Sequence, residues 1–256
     1  MSLKQQLGSG EPQYGLWLGL ANAYTAEICA GSGADWVLVD GEHAPNTLTT
    51  VLGQLQSVRG LVEVVARPPD HDPTRIKQYL DLGVRNLLVP MVETPEQATE
   101  VVAATRYPPA GTRGVASMLN RATDFGRHAD YLRVAHESIC LFMQIESAAG
   151  LESVREIASV PGVDGIFVGP ADLAASLGHL GNPRHPAVRE AIDRVLETAQ
   201  TAGVHSGLYA SSPADGREWT TKGAALVAVG SDVGVLQRGT QKLFQEVRGD
   251  IIPNGW

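Results

Sequence analysis

The chain has 256 residues, 43% hydrophobic and 19% charged, enough apolar material for a full core and too little charge for a disordered chain. Its 20 Lys and Arg against 28 Asp and Glu leave a net charge of −8, which repels phosphate backbones and anionic lipid, so nucleic acid and membrane surfaces are poor partners and a small ligand is expected. The opening MSLKQQLGSGEP has no signal-peptide apolar core, no stretch approaches eighteen apolar residues, and Cys29 and Cys140 fit no CxxC or metal-ligand spacing; the expectation is a cytoplasmic protein with two buried thiols.

Short apolar runs recur along the chain: GLWLGL from Gly15, WVLVD from Trp36, EVVARP from Glu63, NLLVPM from Asn86, CLFMQI from Cys140, GIFVGP from Gly165, HSGLYA from His205 and LVAVGS from Leu226. Each precedes a helical stretch. After the fourth, TPEQATEVVAATR offers Thr94 as an N-cap and Pro95 at the first helical position. Apolar runs separated by amphipathic segments read as parallel strands crossed by helices, and eight units predict an α/β fold, a (β/α)8 TIM barrel spanning 1–256 as a single domain. Gly33, Gly83, Gly162 and Gly223 each stand six positions before a valine, at Val39, Val89, Val168 and Val229. That echo reads either as an internal repeat or as glycine ending one helix before a strand that favours valine. Two segments break the rhythm. Residues 107–130, YPPAGTRGVASMLNRATDFGRHAD, read as a long loop over the end of the fourth strand, in the manner of a lid or interface arm; LGHLGNPRHP reads as a turn before a long helix from Pro186.

In such barrels the reacting groups follow the strands' carboxyl ends. Those positions hold Asp40, Glu42 and His43, then Arg67, Gln144 and Glu146, Asp172 and Asp232. Glu146 and Asp172 stand at the tips of neighbouring strands, where two carboxylates suit Mg2+, Mn2+ or Co2+ with water and substrate oxygens completing the shell; each could instead cap the following helix. Arg67 inside an apolar strand requires an anion, either a substrate carboxylate or enolate or a structural ion pair with Asp40 or Glu42. His43 has the chemistry of a general acid or base. The six other histidines form no comparable cluster, and the four lysines, Lys4, Lys77, Lys222 and Lys242, lie outside the strands, which disfavours a Schiff-base mechanism. Nucleotide-binding and serine-hydrolase motifs are absent from the sequence.

The blocks WLGL, CAGSGADWVLVDGEHAPN, RPP, YLDLGVRNLLVPMVET, RYPPAGTRGVAS, QIES and GVDGIFVGPADLAASLGHLGNP resemble, in order, the metal-dependent pyruvate aldolases of the HpcH/HpaI type, over nearly the whole chain. The resemblance implies a divalent metal held by Glu146 and Asp172 with Gln144 beside them. It implies that Arg67 meets the ketone or enolate oxygen of pyruvate and that the backbone of Gly169, Pro170, Ala171 and Asp172 surrounds its carboxylate. His43, with Asp40 and Asp81, would handle protons and the aldehyde end, and Trp17 and Tyr209 would line the substrate. It further implies a homo-oligomer, a hexamer, with the last helix, SDVGVLQRGTQKLFQEV, against a neighbour; the tail IIPNGW and the arginine-bearing loop from Tyr107 are further surface for such contacts. YASS at 209–212 and GSD at 230–232 depart from the family pattern and leave the aldehyde open. The expected reaction is reversible cleavage of a 4-hydroxy-2-oxo acid to pyruvate, or a related 2-oxo acid, and an aldehyde. The rivals are a citramalyl- or malyl-thioester lyase and a non-catalytic keto-acid-binding barrel.

Overall fold

The computed structural model describes residues 1–116 and 118–249; the tail IIPNGW therefore lies outside the described residues. All eight apolar runs are strands: β1 (Gln13–Leu18), β2 (Trp36–Asp40), β3 (Glu63–Arg67), β4 (Asn86–Val89), β5 (Cys140–Ile145), β6 (Gly165–Val168), β7 (His205–Tyr209) and β8 (Leu226–Ser231). They close in chain order into a parallel barrel, β8 pairing back onto β1. The connecting helices are α2 (Ala23–Ala30), α3 (Leu48–Ser57), α4 (Pro73–Asp81), α5 (Pro95–Thr105), α6 (Tyr131–Val134), α7 (Ala148–Glu152), α8 (Val154–Ala158), α9 (Pro170–Ser176), α10 (Pro186–Ala202) and α11 (Pro213–Thr221); α1 (Leu3–Leu7) precedes the barrel and α12 (Asp232–Arg248) follows it. Thr94 caps α5 through the Gln97 amide, in a capping box with Pro95 at the first turn. No helix among the described residues is long and apolar enough to cross a membrane.

Strand parity sorts the side chains into two cores. Val37, Val39, Leu87, Val89, Ile166 and Val168 point outward and pack under the helices, while Trp36, Leu38, Val65, Leu88, Phe142 and Phe167 fill the lumen. The glycine–valine echo falls into place here. Gly33, Gly83, Gly162 and Gly223 all have positive φ, 89° to 111°, where a side chain is strained, and they turn the chain into a strand. Local backbone chemistry accounts for the echo without an internal repeat.

The structure adds one element and corrects two expectations. Ser2 caps α1 with a capping box, and Leu3 and Leu7 enter the luminal core at the strands' amino end. An apolar lumen left open to water would forfeit its burial, so a short amphipathic helix serves as its floor. The loop after α5 does not cover the carboxyl end of β4. It packs beneath the barrel, where Arg121 donates to the Leu82 carbonyl and Arg113 and Asn120 donate to Asp81. A loop between a helix and the next strand lies at the strand's starting end, so it is no lid on the mouth. Finally, Cys140 is buried in β5 but Cys29 on α2 is only half-buried.

Candidate active site

The parity that fills the lumen also builds its mouth. Trp17, Asp40, Arg67, Gln144, Phe167 and Tyr209 share the inward face of their strands, each at or near the carboxyl end. All of these but Asp40, together with His43, Gly169, Pro170, Ala171, Asp172, Pro183 and Ser211, line a cavity of about 270 Å³.

Register sets the first pair. Asp40 and Arg67 stand opposite each other on β2 and β3, and Arg67 grips Asp40 bidentately, Nε to Oδ1 at 2.9 Å and Nη2 to Oδ2 at 2.7 Å. Arg67 Nη1 lies 2.7 Å from Glu42 Oε2. The structural ion pair is therefore present, and both carboxylates that sequence offered as partners join it. It does not exhaust the guanidinium: five N–H groups are available and three are committed, leaving two for a ligand oxygen. Trp17 completes the brace. Its Nε1 donates to Asp40 Oδ2 at 3.1 Å and its ring lies 5.0 Å from the Arg67 guanidinium carbon. Burial opposes ionisation of Asp40, yet the hydrogen bonds and charge of Arg67 hold its carboxyl below the usual range.

Glu146 follows β5 and is buried. Its Oε1 accepts from the Met91 amide at 2.9 Å, and its Oε2 accepts from Gln144 Nε2. Burial pushes its carboxyl up to about 7; the Met91 amide works the other way, and the negative charges of Glu42 and Asp172 add to the rise. Burial likewise raises Glu42, against the pull of Arg67. Gln144 is spent on one side only, because its buried Oε1 has no partner. Gly169 makes this packing possible: a β-carbon there would press on Glu146 Oε2 and come within 2.9 Å of Gln144 Nε2.

Asp172 is exposed in the first turn of α9. Of the backbone groups around it, the Gly169 amide is committed to the Ile145 carbonyl and Pro170 has no N–H, so Ala171 and Asp172 supply the two amides of that turn without an intrahelical acceptor. His43 lies at the rim with its side chain 64% exposed and Nε2 3.8 Å from Glu42 Oε2. Tyr209 packs edge-on to Trp17 at 5.5 Å.

One sequence candidate is not brought to this cluster. Asp81 ends α4 at the opposite, amino end of the barrel, where Arg113 and Asn120 bind it. Asp232 is at the mouth but is taken up by the Gly19 and Leu20 amides, at 2.8 and 3.1 Å. Phe167, Pro183 and Ser211 join the lining without having been singled out as ligand-facing; the signal for Phe167 was parity, two residues before Gly169, whereas Pro183 arrives by a loop whose path no periodicity reports.

The mouth thus carries Asp40, Glu42, Glu146 and Asp172 against Arg67, an excess of negative charge that suits a hard cation. Among the described residues no three His, Cys, Asp or Glu side chains gather into a complete metal cage. Two carboxylates beside an unpartnered amide oxygen fit a divalent ion whose other positions are filled by water and substrate oxygens.

A family model described as HpcH/HpaI aldolase/citrate lyase matches residues 13–238. The chain is 54% identical over 243 residues to the hydroxypyruvate/pyruvate aldolase of Deinococcus radiodurans, covering 94% of this chain and 88% of that one. It is 48% identical to the 4-hydroxy-2-oxo-heptane-1,7-dioate aldolase of Salmonella arizonae, with 94% and 92% covered. The solved structure of an HpcH/HpaI aldolase/citrate lyase family protein from Burkholderia cenocepacia superposes with a TM-score of 0.93 at 46% identity, covering 96% of this chain and 98% of that one.

Proposed function

The chain belongs to the HpcH/HpaI aldolase/citrate lyase family, and from that premise and the geometry of the barrel mouth we propose a divalent-metal-dependent aldolase in which the residues at the strand tips divide the work. The protein is a carbon–carbon lyase that cleaves aldols to release pyruvate, and we take 4-hydroxy-2-oxo acids as its substrates. The observation that carries the reading is the single guanidinium, Arg67, facing the same small cavity as Gln144 and Asp172, with buried Glu146 held against the Gln144 amide. Among the described residues Arg67 is also the sole arginine or lysine lining that cavity, which favours a small 2-oxo acid over a coenzyme A thioester with its phosphates.

Glu146 and Asp172 would hold the metal, which when bound supplies Lewis-acid polarisation of the 2-oxo group. The remaining roles fall to the chain. Asp40, Glu42 and Trp17 fix the Arg67 fork, so its two free N–H groups are aimed before reaction at the oxygen on which enolate charge develops. The Ala171 and Asp172 amides receive the substrate carboxylate. Gln144 Oε1 accepts from a hydroxyl or ordered water in the cavity, and Trp17, Phe167 and Tyr209 exclude bulk water around the enolate. His43 at the rim exchanges the proton at the aldehyde end. Asp81 takes part in that step only where a neighbouring subunit brings its amino end to this mouth.

Incubating the protein with a 4-hydroxy-2-oxo acid and Mg2+ or Mn2+, with pyruvate release coupled to a dehydrogenase, tests the reading. EDTA should abolish release, fresh metal should restore it, and borohydride should trap no pyruvate on lysine. Cleavage by the metal-free protein overturns it.

A specific observation also supports a homo-oligomer. Along α12 only Asp232 is buried, and Val235, Leu236, Leu243, Phe244 and Val247 are exposed. A 17-residue amphipathic helix with its apolar side in water calls for a partner, and a second copy in a closed hexamer supplies one. Light scattering should give six chains; an active monomer at micromolar concentration contradicts it.

A further inference from the structure

The cavity is lined by two kinds of segment. Arg67 and Gln144 stand on strands, whereas Pro183 comes from the loop between α9 and α10 and Ser211 from the loop between β7 and α11. The first of these loops is turned by Gly178 and Gly181, with φ of 82° and 76°. His179 stacks on His185 with centroids 3.5 Å apart, which closes the loop on itself but does not tie it to the barrel.

Arg184 makes that tie. Next to Pro183, it donates through Nη2 to Asp215 Oδ2 at 2.6 Å and to Ser212 Oγ at 3.3 Å. Ser212, next to Ser211, caps α11 by accepting from the Asp215 amide, and its hydroxyl donates to Asp215 Oδ2 at 3.0 Å. Among the described residues no other side-chain hydrogen bond or ion pair joins 177–185 to 210–215. Burial opposes the Asp215 charge, yet the hydrogen bonds from Arg184 and Ser212 hold its carboxyl below the ordinary range, so the clamp is charged at neutral pH. Arg189 extends it, 3.7 Å from Asp215 and paired with Glu218.

We propose that Arg184 is a positioning residue that joins the two loops walling the aldehyde end of the cavity and so sets acceptor binding without taking part in enolate formation. The proposal rests on the aldolase reading. It assigns enolate chemistry to the strand-borne residues and acceptor recognition to the clamped loops that carry Pro183 and Ser211. A loop pair held by one clamp loses its shape when the clamp is removed, and binding then meets the cost of ordering it again.

The test separates the two half-reactions, with Mg2+ or Mn2+ present throughout. Exchange of the pyruvate methyl protons in D2O, without aldehyde, reports enolate formation; steady-state addition of pyruvate to glycolaldehyde and to propanal reports the acceptor. For Arg184→Ala, exchange should match the parent while KM for both aldehydes rises on the order of tenfold, and Arg184→Lys should recover part of the loss. Asp215→Asn should raise KM similarly, and the double variant should add little, as a shared interaction requires. An unchanged aldehyde KM overturns the proposal. So does a parallel fall in exchange, which would make the clamp a support of the whole site. If the parent protein exchanges no methyl protons, the aldolase reading itself fails and the proposal with it.

Discussion

At the amino end of the barrel the carboxylates are tied to separate donors; at the carboxyl end several crowd one another. Asp164 accepts the Leu141 amide at 2.9 Å and pairs with Lys4 at 2.8 Å, Asp35 accepts the Tyr14 amide, and Asp81 holds Arg113 and Asn120. At the mouth the charge of Asp172 raises the cost of ionising Glu42 and Glu146, Glu42 adds to that of Glu146, and Gln144 keeps a buried oxygen without a partner. A fold selected only for stability has no reason to crowd mutually repelling carboxylates at one end, so the difference marks the reacting end.

The comparison can be broken at several points. Glu146→Gln should abolish detectable cleavage at limiting metal while the barrel stays folded by circular dichroism, with excess Mn2+ restoring part of it; normal turnover without added metal would remove Glu146 from the site. Arg67→Lys should cost on the order of 10²- to 10³-fold in kcat, because a point charge cannot keep Asp40 and Glu42 and also present two aimed N–H groups. At the other end, Leu7→Ala should cost about 2–5 kcal/mol of stability in denaturant melts and leave kcat per folded molecule unchanged. A fall in kcat there would mean that the floor shapes the mouth. His43→Ala should lose on the order of 10²-fold with a flattened limb in the pH–rate profile; an unaltered profile would take His43 out of proton transfer.

The smallest effect is the most diagnostic. In the folded, metal-free protein Glu146 titrates near 7, above the ordinary value of 4.5. Between those values the folded state keeps a proton that the unfolded state has released, so stability falls as pH rises through this window and levels off above it. Glu146→Gln removes the charge. With EDTA present, its Tm should equal the parent's below pH 4.5 and exceed it by a few degrees at pH 8; a constant difference across that range would deny the shift.

Strand parity explains how much of the site could be read ahead. Once GLWLGL, WVLVD, EVVAR and CLFMQI are strands, Trp17, Asp40, Arg67 and Gln144 share one face because side chains alternate, and the barrel places reacting groups after the carboxyl ends. Pro183, Ser211 and Arg184 were beyond that rule, since loops have no period. Asp81 was assigned by resemblance alone, and the chain holds it at the far end.

Local chemistry by itself determined the eight strands, the Thr94 cap of α5 and the four glycine turns, because each depends on residues a few positions apart. It also determined that Arg67 needs an anion, since desolvation cost attaches to the residue wherever its strand is buried. Which anions it took, how Gln144 came to keep a bare oxygen, and that α1 forms the floor were decided by tertiary structure. Those outcomes depend on β2–β3 register, on Gly169 approaching Glu146, and on an open lumen at the amino end. Each brings together residues far apart in the chain, and only closure of the barrel makes them neighbours.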